Sequence, residues 1–272
     1  MPASPTEQPL LTIEDVHVHY GVSRHLVKAV NGVTFDIRPG ESVGLVGESG
    51  CGKTTLGRAV MRLTDIHAGR ICFQGQDISD YSGTGLKLYR KHVQMVFQDP
   101  YGSLNARISV GKAIEEVLHV HGMKDRNQRH EKARQLFEAV GLDPAYMDRY
   151  PHEFSGGQRQ RIGIARSLAV DPSLLIADEP VSALDVSVQV QILNLLKDIQ
   201  QKMNLALLFV AHDLAVVRYV CDRILVMNQG KVVESGTPQE LFTQPQHPYT
   251  RTLLAAVPDV EKGLAERRII SS

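Results

Sequence analysis

The stretch Gly47-Glu48-Ser49-Gly50-Cys51-Gly52-Lys53-Thr54 restricts the fold of this 272-residue chain more than any other feature. It fits G-x-x-x-x-G-K-[ST], with a strand-like run, Ser42 to Val46, before it and a helix expected from about Lys53. Glycines let consecutive backbone N–H groups turn inward around phosphate oxygens without Cβ clashes. The helix that follows presents its positive end to the anion. Lys53 supplies a point charge for β- and γ-phosphates, and the Thr54 hydroxyl suits Mg²⁺. Together with Thr55, these residues are the candidate ATP ligands, and the Lys53 side chain is expected at the surface of the loop. A glycine-bearing turn can match such a pattern by chance, but the strand before and the helix after argue for a phosphate-binding loop in an α/β sheet.

Leu174-Leu175-Ile176-Ala177-Asp178-Glu179 is an apolar strand ending in two acids. In α/β sheets ligands sit outside the carboxyl ends of the strands, which is where these acids project. Asp178 is suited to holding Mg²⁺ and its waters, and Glu179 to polarising an attacking water. Taken alone, the pair could equally be a strand end meeting solvent; the phosphate loop tips the reading to chemistry.

Elsewhere the periodicity sketches the layout. Val16, Val18 and Tyr20 alternate with histidines, Val30 to Ile37 is β-rich up to the Pro39-Gly40 turn, and Ile71 to Phe73 and Val93 to Phe97 are short strands. From Val110 to Val170 the character is helical. Ala133, Leu136, Phe137 and Val140 share one helical face, with Gly141 placed to end that helix. Leu205 to Ala211 is a second fully apolar run, separated from Leu174–Ala177 by a helix over Val188–Lys202; such runs suit parallel strands buried on both faces. Ile224–Met227 and Lys231–Val233 flank an Asn228-Gln229-Gly230 turn, a late hairpin. The tail from Phe242 carries Pro245, Pro248 and Pro258 around one short apolar helix.

With 43% hydrophobic residues the chain can build a sizeable core, and 30 basic against 30 acidic residues give no basic excess for nucleic acid. Cys51, Cys72 and Cys221 lack metal-ligand spacing and fit a reducing cytosol. Met1 to Pro9 does not read as a signal peptide, and no apolar run approaches the ~20 residues that span a bilayer. A role at a membrane therefore requires spanning helices from another polypeptide.

Ser155-Gly156-Gly157-Gln158 opens a helix with a capping box, and two glycines at a helix start offer N–H groups to a γ-phosphate. Phe154-Ser155-Gly156-Gly157-Gln158-Arg159-Gln160-Arg161, just upstream of the acidic strand, resembles the signature of ATP-binding-cassette proteins. The resemblance runs from about Leu11 to Pro258 with the motifs in family order. It implies a P-loop ATPase core with a mixed, largely parallel sheet, an N-terminal antiparallel β subdomain and an α-helical subdomain inserted at about 100–170. The cassette would occupy 10–240 and a C-terminal extension 241–272. It further implies that Gln98 is the Q-loop glutamine, sensing γ-phosphate and the transporter contact and ligating Mg²⁺, and that Asp185 crosses a dimer interface. His212 resembles the switch histidine, and Tyr20 the aromatic that stacks on adenine. Ser155, Gly156, Gly157 and Gln158 would reach the partner cassette's ATP. Each of these has an ordinary alternative as a solvated loop residue, a hydrogen-bonded histidine or simple packing. Phe154 stands where the family often has Leu, and Val181 where it often has Thr; neither removes a catalytic group.

Phe97-Gln98-Asp99-Pro100-Tyr101-Gly102-Ser103-Leu104-Asn105 and the tail Gln246-His247-Pro248-Tyr249-Thr250-Arg251-Thr252-Leu253-Leu254 resemble ATPase subunits of bacterial dipeptide, oligopeptide and nickel importers, with Ala106 where Pro is frequent. That resemblance implies a second, different ATPase, two transmembrane permease subunits and an extracytoplasmic solute-binding protein. It also implies a peripheral place on the cytoplasmic face of the bacterial inner membrane. An exporter ATPase would usually carry its own spanning helices. A soluble cassette acting on nucleic acid or ribosomes usually has two cassettes or an insertion, and a small-molecule kinase leaves the signature and His212 unexplained.

Overall fold

The computed structural model describes residues 8–21, 26–99 and 102–256. Residues 1–7 of the polar N-terminus, the Pro100-Tyr101 step and residues 257–272, with Pro258, lie outside the described residues. Strands β1 (Leu11–Tyr20) and β2 (Val27–Ile37) pair antiparallel, and β3 (Ser42–Val46) leads through the glycine-rich loop into helix α1 (Lys53–Val60). β4 (Ala68–Phe73) returns to β1, and β5 (Gln76–Asp77) adds to it, giving a four-stranded antiparallel sheet in the order β2-β1-β4-β5. Helix α2 (Gly83–His92) runs into β6 (Val93–Val96), after which α3 (Val110–Val120), α4 (Arg126–Ala139) and α5 (Gly156–Leu168) form the helical part. Then come β7 (Leu174–Asp178), α6 (Val186–Met203), β8 (Ala206–Ala211), α7 (Leu214–Val220) and the hairpin of β9 (Arg223–Asn228) and β10 (Lys231–Gly236). Helices α8 (Pro238–Thr243) and α9 (Pro248–Ala255) follow. The main sheet has the order β10-β9-β3-β8-β7-β6, parallel throughout except for the β9–β10 pair.

β7 and β8 read as unbroken apolar runs because both faces of the main sheet are covered. Leu174, Ile176, Ala206, Leu208 and Val210 point into one core, shared with α1 and the antiparallel sheet. Leu175, Ala177, Leu207, Phe209 and Ala211 point into the other, shared with α5, α6 and α7. Period-two alternation is present, but it alternates between two apolar compartments. Full burial of each Leu, Ile, Val or Phe side chain among them is worth about 1.5–3 kcal/mol, so the parallel strands are firmly held. At their amino ends polar pairs replace apolar contact: the Ser42 hydroxyl donates to Asp222 Oδ2 at 2.6 Å, and Arg223 Nε donates to Glu41 Oε1 at 2.8 Å.

The helix predicted over 128–140 spans Arg126–Ala139, N-capped by the Asp125 carboxylate, with Gly141 at φ +72° beyond its end. Three helices are absent from the sequence reading. α2 buries only Tyr89 and carries Gly83, Gly85 and a basic last turn, which erases any apolar stripe. α7 is a seven-residue, mostly apolar segment, too short to show a helical period. The tail forms two helices where one was expected. The Thr237–Glu240 capping box with Pro238 at the first helical position announces α8, and the apolar count alone conceals it.

Candidate functional site

Strand register assembles the site. Val46 pairs with Ala211, Asp178 with Val210, and Val96 with Ala177. One or two residues further on, Gly47, His212, Glu179 and Gln98 therefore leave the same edge of the sheet side by side, although 165 positions separate the first of them from His212 (212 − 47). An open cleft of about 570 Å³ at this edge is lined by Ser49, Gln98, Asp99, Glu179, Ser182, Ala183 and His212, within the size range of small-molecule sites.

The glycine-rich loop is shaped by its neighbours as well as by its own freedom. Gly47 and Gly52 have φ of +156° and +109°, and a Cβ on either would collide with a carbonyl oxygen, that of Met227 on β9 or of Ala29 on β2. The Cys51 carbonyl accepts the Gly230 N–H at 2.9 Å from the β9–β10 turn, and the Gly230 carbonyl accepts the Asn31 N–H from β2. Lys53 departs from its expected place: it is 4% exposed, not a surface side chain. Its ammonium lies within the loop, donating to the Gly47 carbonyl at 2.7 Å and the Glu48 carbonyl at 2.9 Å. A buried ammonium needs such acceptors, and the curled loop turns its own carbonyls inward to supply them. Burial raises the Cys51 thiol above its ordinary pKa, against the pull of Lys53, so this cysteine is an uncharged part of the loop wall.

Beside the loop the Thr54 hydroxyl donates to Asp178 Oδ1 at 3.0 Å. Asp178 is 2% exposed; burial raises its pKa, the Thr54 hydrogen bond opposes that rise, and the adjacent Glu179 charge adds to it. A buried carboxylate next to a hydroxyl is a hard-oxygen donor pair short of positive charge, and this pair fits Mg²⁺. Glu179 has φ +45°, an uncommon conformation for a side-chain-bearing residue. Its N–H donates to the Val210 carbonyl at 2.9 Å, and its own carbonyl accepts the Ser182 N–H and hydroxyl. So held, its carboxylate turns into the cleft, where Oε2 accepts Gln98 Nε2 at 2.9 Å and lies 3.5 Å from His212 Nδ1.

Other candidates lie away from this cleft. Ser155 caps α5 as expected: its hydroxyl accepts the Gln158 N–H at 3.3 Å while Gln158 Oε1 accepts the Ser155 N–H at 3.0 Å. Gly157 has a further reason to be glycine, since a Cβ there would strike Val188 where α5 crosses α6. Asp185 caps α6, accepting from Val188 N and the Ser187 hydroxyl, which together hold its pKa below the ordinary value. Tyr20 ends β1, 44% exposed, opposite Val27. Val27 is two residues, about 7 Å, along β2 from Ala29, where that strand touches Gly52. Gly156 and Thr55 are half-buried at the starts of α5 and α1.

Three contacts have no counterpart in the sequence reading. Gly230 reaches the loop from the β9–β10 turn. An Arg166 guanidinium N–H donates to the Ser103 carbonyl, tying α5 to the segment after Gln98. The Tyr249 hydroxyl accepts the Glu48 N–H at 3.0 Å. For Tyr249 a signal existed, the His247-Pro248-Tyr249 tail; nothing local marks the other two.

The sequence matches the ABC transporter family over residues 30–182 and the oligopeptide/dipeptide transporter C-terminal region over 233–272. It is 50% identical over 262 residues to the oligopeptide transport ATP-binding protein OppF of Streptococcus mutans, covering 96% of this chain and 85% of that one. It is 49% identical over 270 residues to AppF of Bacillus subtilis, covering 96% and 82%. The fold is similar to the dimeric post-hydrolysis state of the ATP-binding cassette MJ0796 bound to ADP and Pi, with TM-score 0.76 and 26% identity over 84% of this chain and 98% of the other. With its sequence matched by the family model over more than half of its length and about half identical to these relatives, the chain belongs to the ABC transporter family as one of its ATPases, in the branch that carries the oligopeptide/dipeptide transporter C-terminal region.

Proposed function

We propose that this chain is the ATP-hydrolysing subunit of a peptide importer. It would work on the cytoplasmic face of the bacterial inner membrane with a second cassette, two permease subunits and an extracytoplasmic solute-binding protein. The observation that carries the chemistry is the convergence on Glu179 Oε2 of Gln98 from β6 and His212 from β8. A carboxylate oriented from both sides at the strand ends is placed to accept a proton from an attacking water. Gly47 to Thr55 would hold the phosphates, and Thr54 and Asp178, with Gln98, would hold Mg²⁺, which would supply positive charge against that of the phosphates. His212 acts from beside Glu179 at the γ-phosphate end.

A second cassette is supported by what the site lacks: none of Ser155 to Gln158 lines the cleft beside Ser49 and Glu179. Next to Asp185, Val186 is 77% and Val190 50% exposed on the first turns of α6. Facing the corresponding surface of the second cassette, those side chains would be covered and the signature glycines would meet the other chain's nucleotide. Peptide as cargo rests on the C-terminal region and on relatives named for oligopeptide transport. Spanning helices come from other subunits, as no helix among the described residues is long and apolar enough to cross a membrane. The test is purification of the tagged chain from membranes: two permease polypeptides and a second cassette are expected with it. Recovery with ribosomes or DNA, released by salt, would replace this reading with that of a nucleic-acid cassette.

Tyr20 is proposed to stack on adenine. Tyr20→Ala is expected to weaken ATP binding about two- to tenfold, the scale of one aromatic contact, while Tyr20→Phe is nearly silent because stacking uses the ring. Equal behaviour of the two variants in a nucleotide titration would place the base elsewhere.

A further inference from the structure

The Gly47–Glu48 peptide is held from two sides. Its carbonyl accepts the Lys53 ammonium inside the loop, and its N–H, which a trans peptide points the opposite way, donates to the Tyr249 hydroxyl outside it. Tyr249 stands 201 positions away, on the first turn of α9. Its aim is set by β10: Glu234 Oε1 accepts the Gln246 N–H at 2.7 Å and Oε2 the His247 N–H at 3.0 Å, and His247 Nδ1 accepts the Tyr249 N–H. Pro248 starts the helix, and Tyr249, Leu253 and Leu254 pack against the larger core. The ring is thus anchored before its hydroxyl meets the loop.

We propose that Tyr249 is a positioning residue of the phosphate loop: by accepting the Glu48 N–H it fixes the peptide whose carbonyl holds Lys53, so that docking of the C-terminal extension presets the loop for nucleotide phosphates. The physical ground is pre-organisation. An exposed glycine-rich loop loses backbone entropy when it closes on phosphate, and a hydrogen bond made beforehand removes part of that cost from binding. The bond also polarises the peptide, so that its carbonyl becomes a better acceptor for the Lys53 ammonium. Glu48 and Ser49 are exposed, and Tyr249 is the side chain that holds this peptide from outside the loop. Removing the hydroxyl leaves the peptide free to rotate and Lys53 with a less fixed acceptor, although the ring still packs.

This rests on the chain binding nucleotide at the loop, and MgADP titration of the unmodified full-length chain checks that point separately. In Tyr249→Phe, MgADP affinity is expected to fall about two- to tenfold, the range of one neutral hydrogen bond. Hydrogen exchange of the Glu48 amide should accelerate, while that of Gly230 and the melting temperature stay unchanged. In the assembled complex the KM for ATP should rise by the same factor with kcat at saturating ATP retained, because the reacting groups are untouched. Glu234→Ala, which releases the start of α9 without altering Tyr249, should move affinity and Glu48 exchange the same way. Unchanged MgADP affinity in Tyr249→Phe overturns the proposal. So does a loss of affinity that comes with a lower melting temperature and unaltered Glu48 exchange, since that is general destabilisation.

Discussion

Glu179→Gln is expected to cut ATP turnover by about 10²–10⁴-fold while leaving Mg-ATP bound. The amide keeps the size of the carboxylate, and its carbonyl oxygen can still accept from Gln98 Nε2, a contact of 2.9 Å in the native chain. What it loses is the capacity to take a proton from water. Lys53, Thr54 and Asp178 are unchanged, so phosphate binding persists, and a bound, unhydrolysed ATP should hold two cassettes together. Single-turnover hydrolysis in an assembly whose partner site is disabled measures the first effect, and ATP-dependent comigration with the partner cassette the second. The stalled assembly should dissociate when Ser155 and its counterpart in the partner are replaced, since under the proposed function each nucleotide would be held by one chain's loop and the other's signature helix. Hydrolysis at the native rate by Glu179→Gln would mean that another group is the base.

Lys53→Ala should lower nucleotide affinity by about 10- to 100-fold and abolish transport, because the lost contact is a charge-assisted one to phosphate. Its burial adds a second consequence. The ammonium satisfies the buried Gly47 carbonyl, and leaving that acceptor without a donor costs about 1–3 kcal/mol, whereas the Glu48 carbonyl keeps the Cys51 N–H. A modest fall in melting temperature should therefore accompany the loss of binding even without nucleotide. Lys53→Met, which keeps the stem and removes the charge, should show both effects. A folded Lys53→Ala chain that binds MgATP with native affinity contradicts the phosphate-loop assignment.

The chemistry was legible before the fold because it lives in short, contiguous runs. A loop that wraps phosphate needs its glycines, lysine and threonine at set spacing, so residues 47–54 declare themselves locally. The Ser155–Gln158 capping box is likewise a local hydrogen-bond pattern, and its predicted bonds are present. Strands buried on both faces also announce themselves, as the unbroken apolar runs of β7 and β8 do. Short or basic helices such as α7 and α2 did not, because seven residues or a single buried tyrosine carry no periodic signal.

By itself, then, the sequence singled out the candidate residues for phosphate and magnesium, the α/β class, and a branch of the family through its tail. The tertiary structure decided what meets what. Only parallel register brings Gln98 and His212 to one oxygen of Glu179, and only the curl of the loop takes Lys53 out of solvent. The Tyr249–Glu48 bond is of the same kind: the two residues lie 201 positions apart and neither carries a local mark of the other. The physical reason is that local patterns encode backbone preference and hydrogen-bonding capacity, whereas long-range pairings are chosen by burial of two apolar faces at once. Polar groups at the strand ends then meet the partners which that packing delivers.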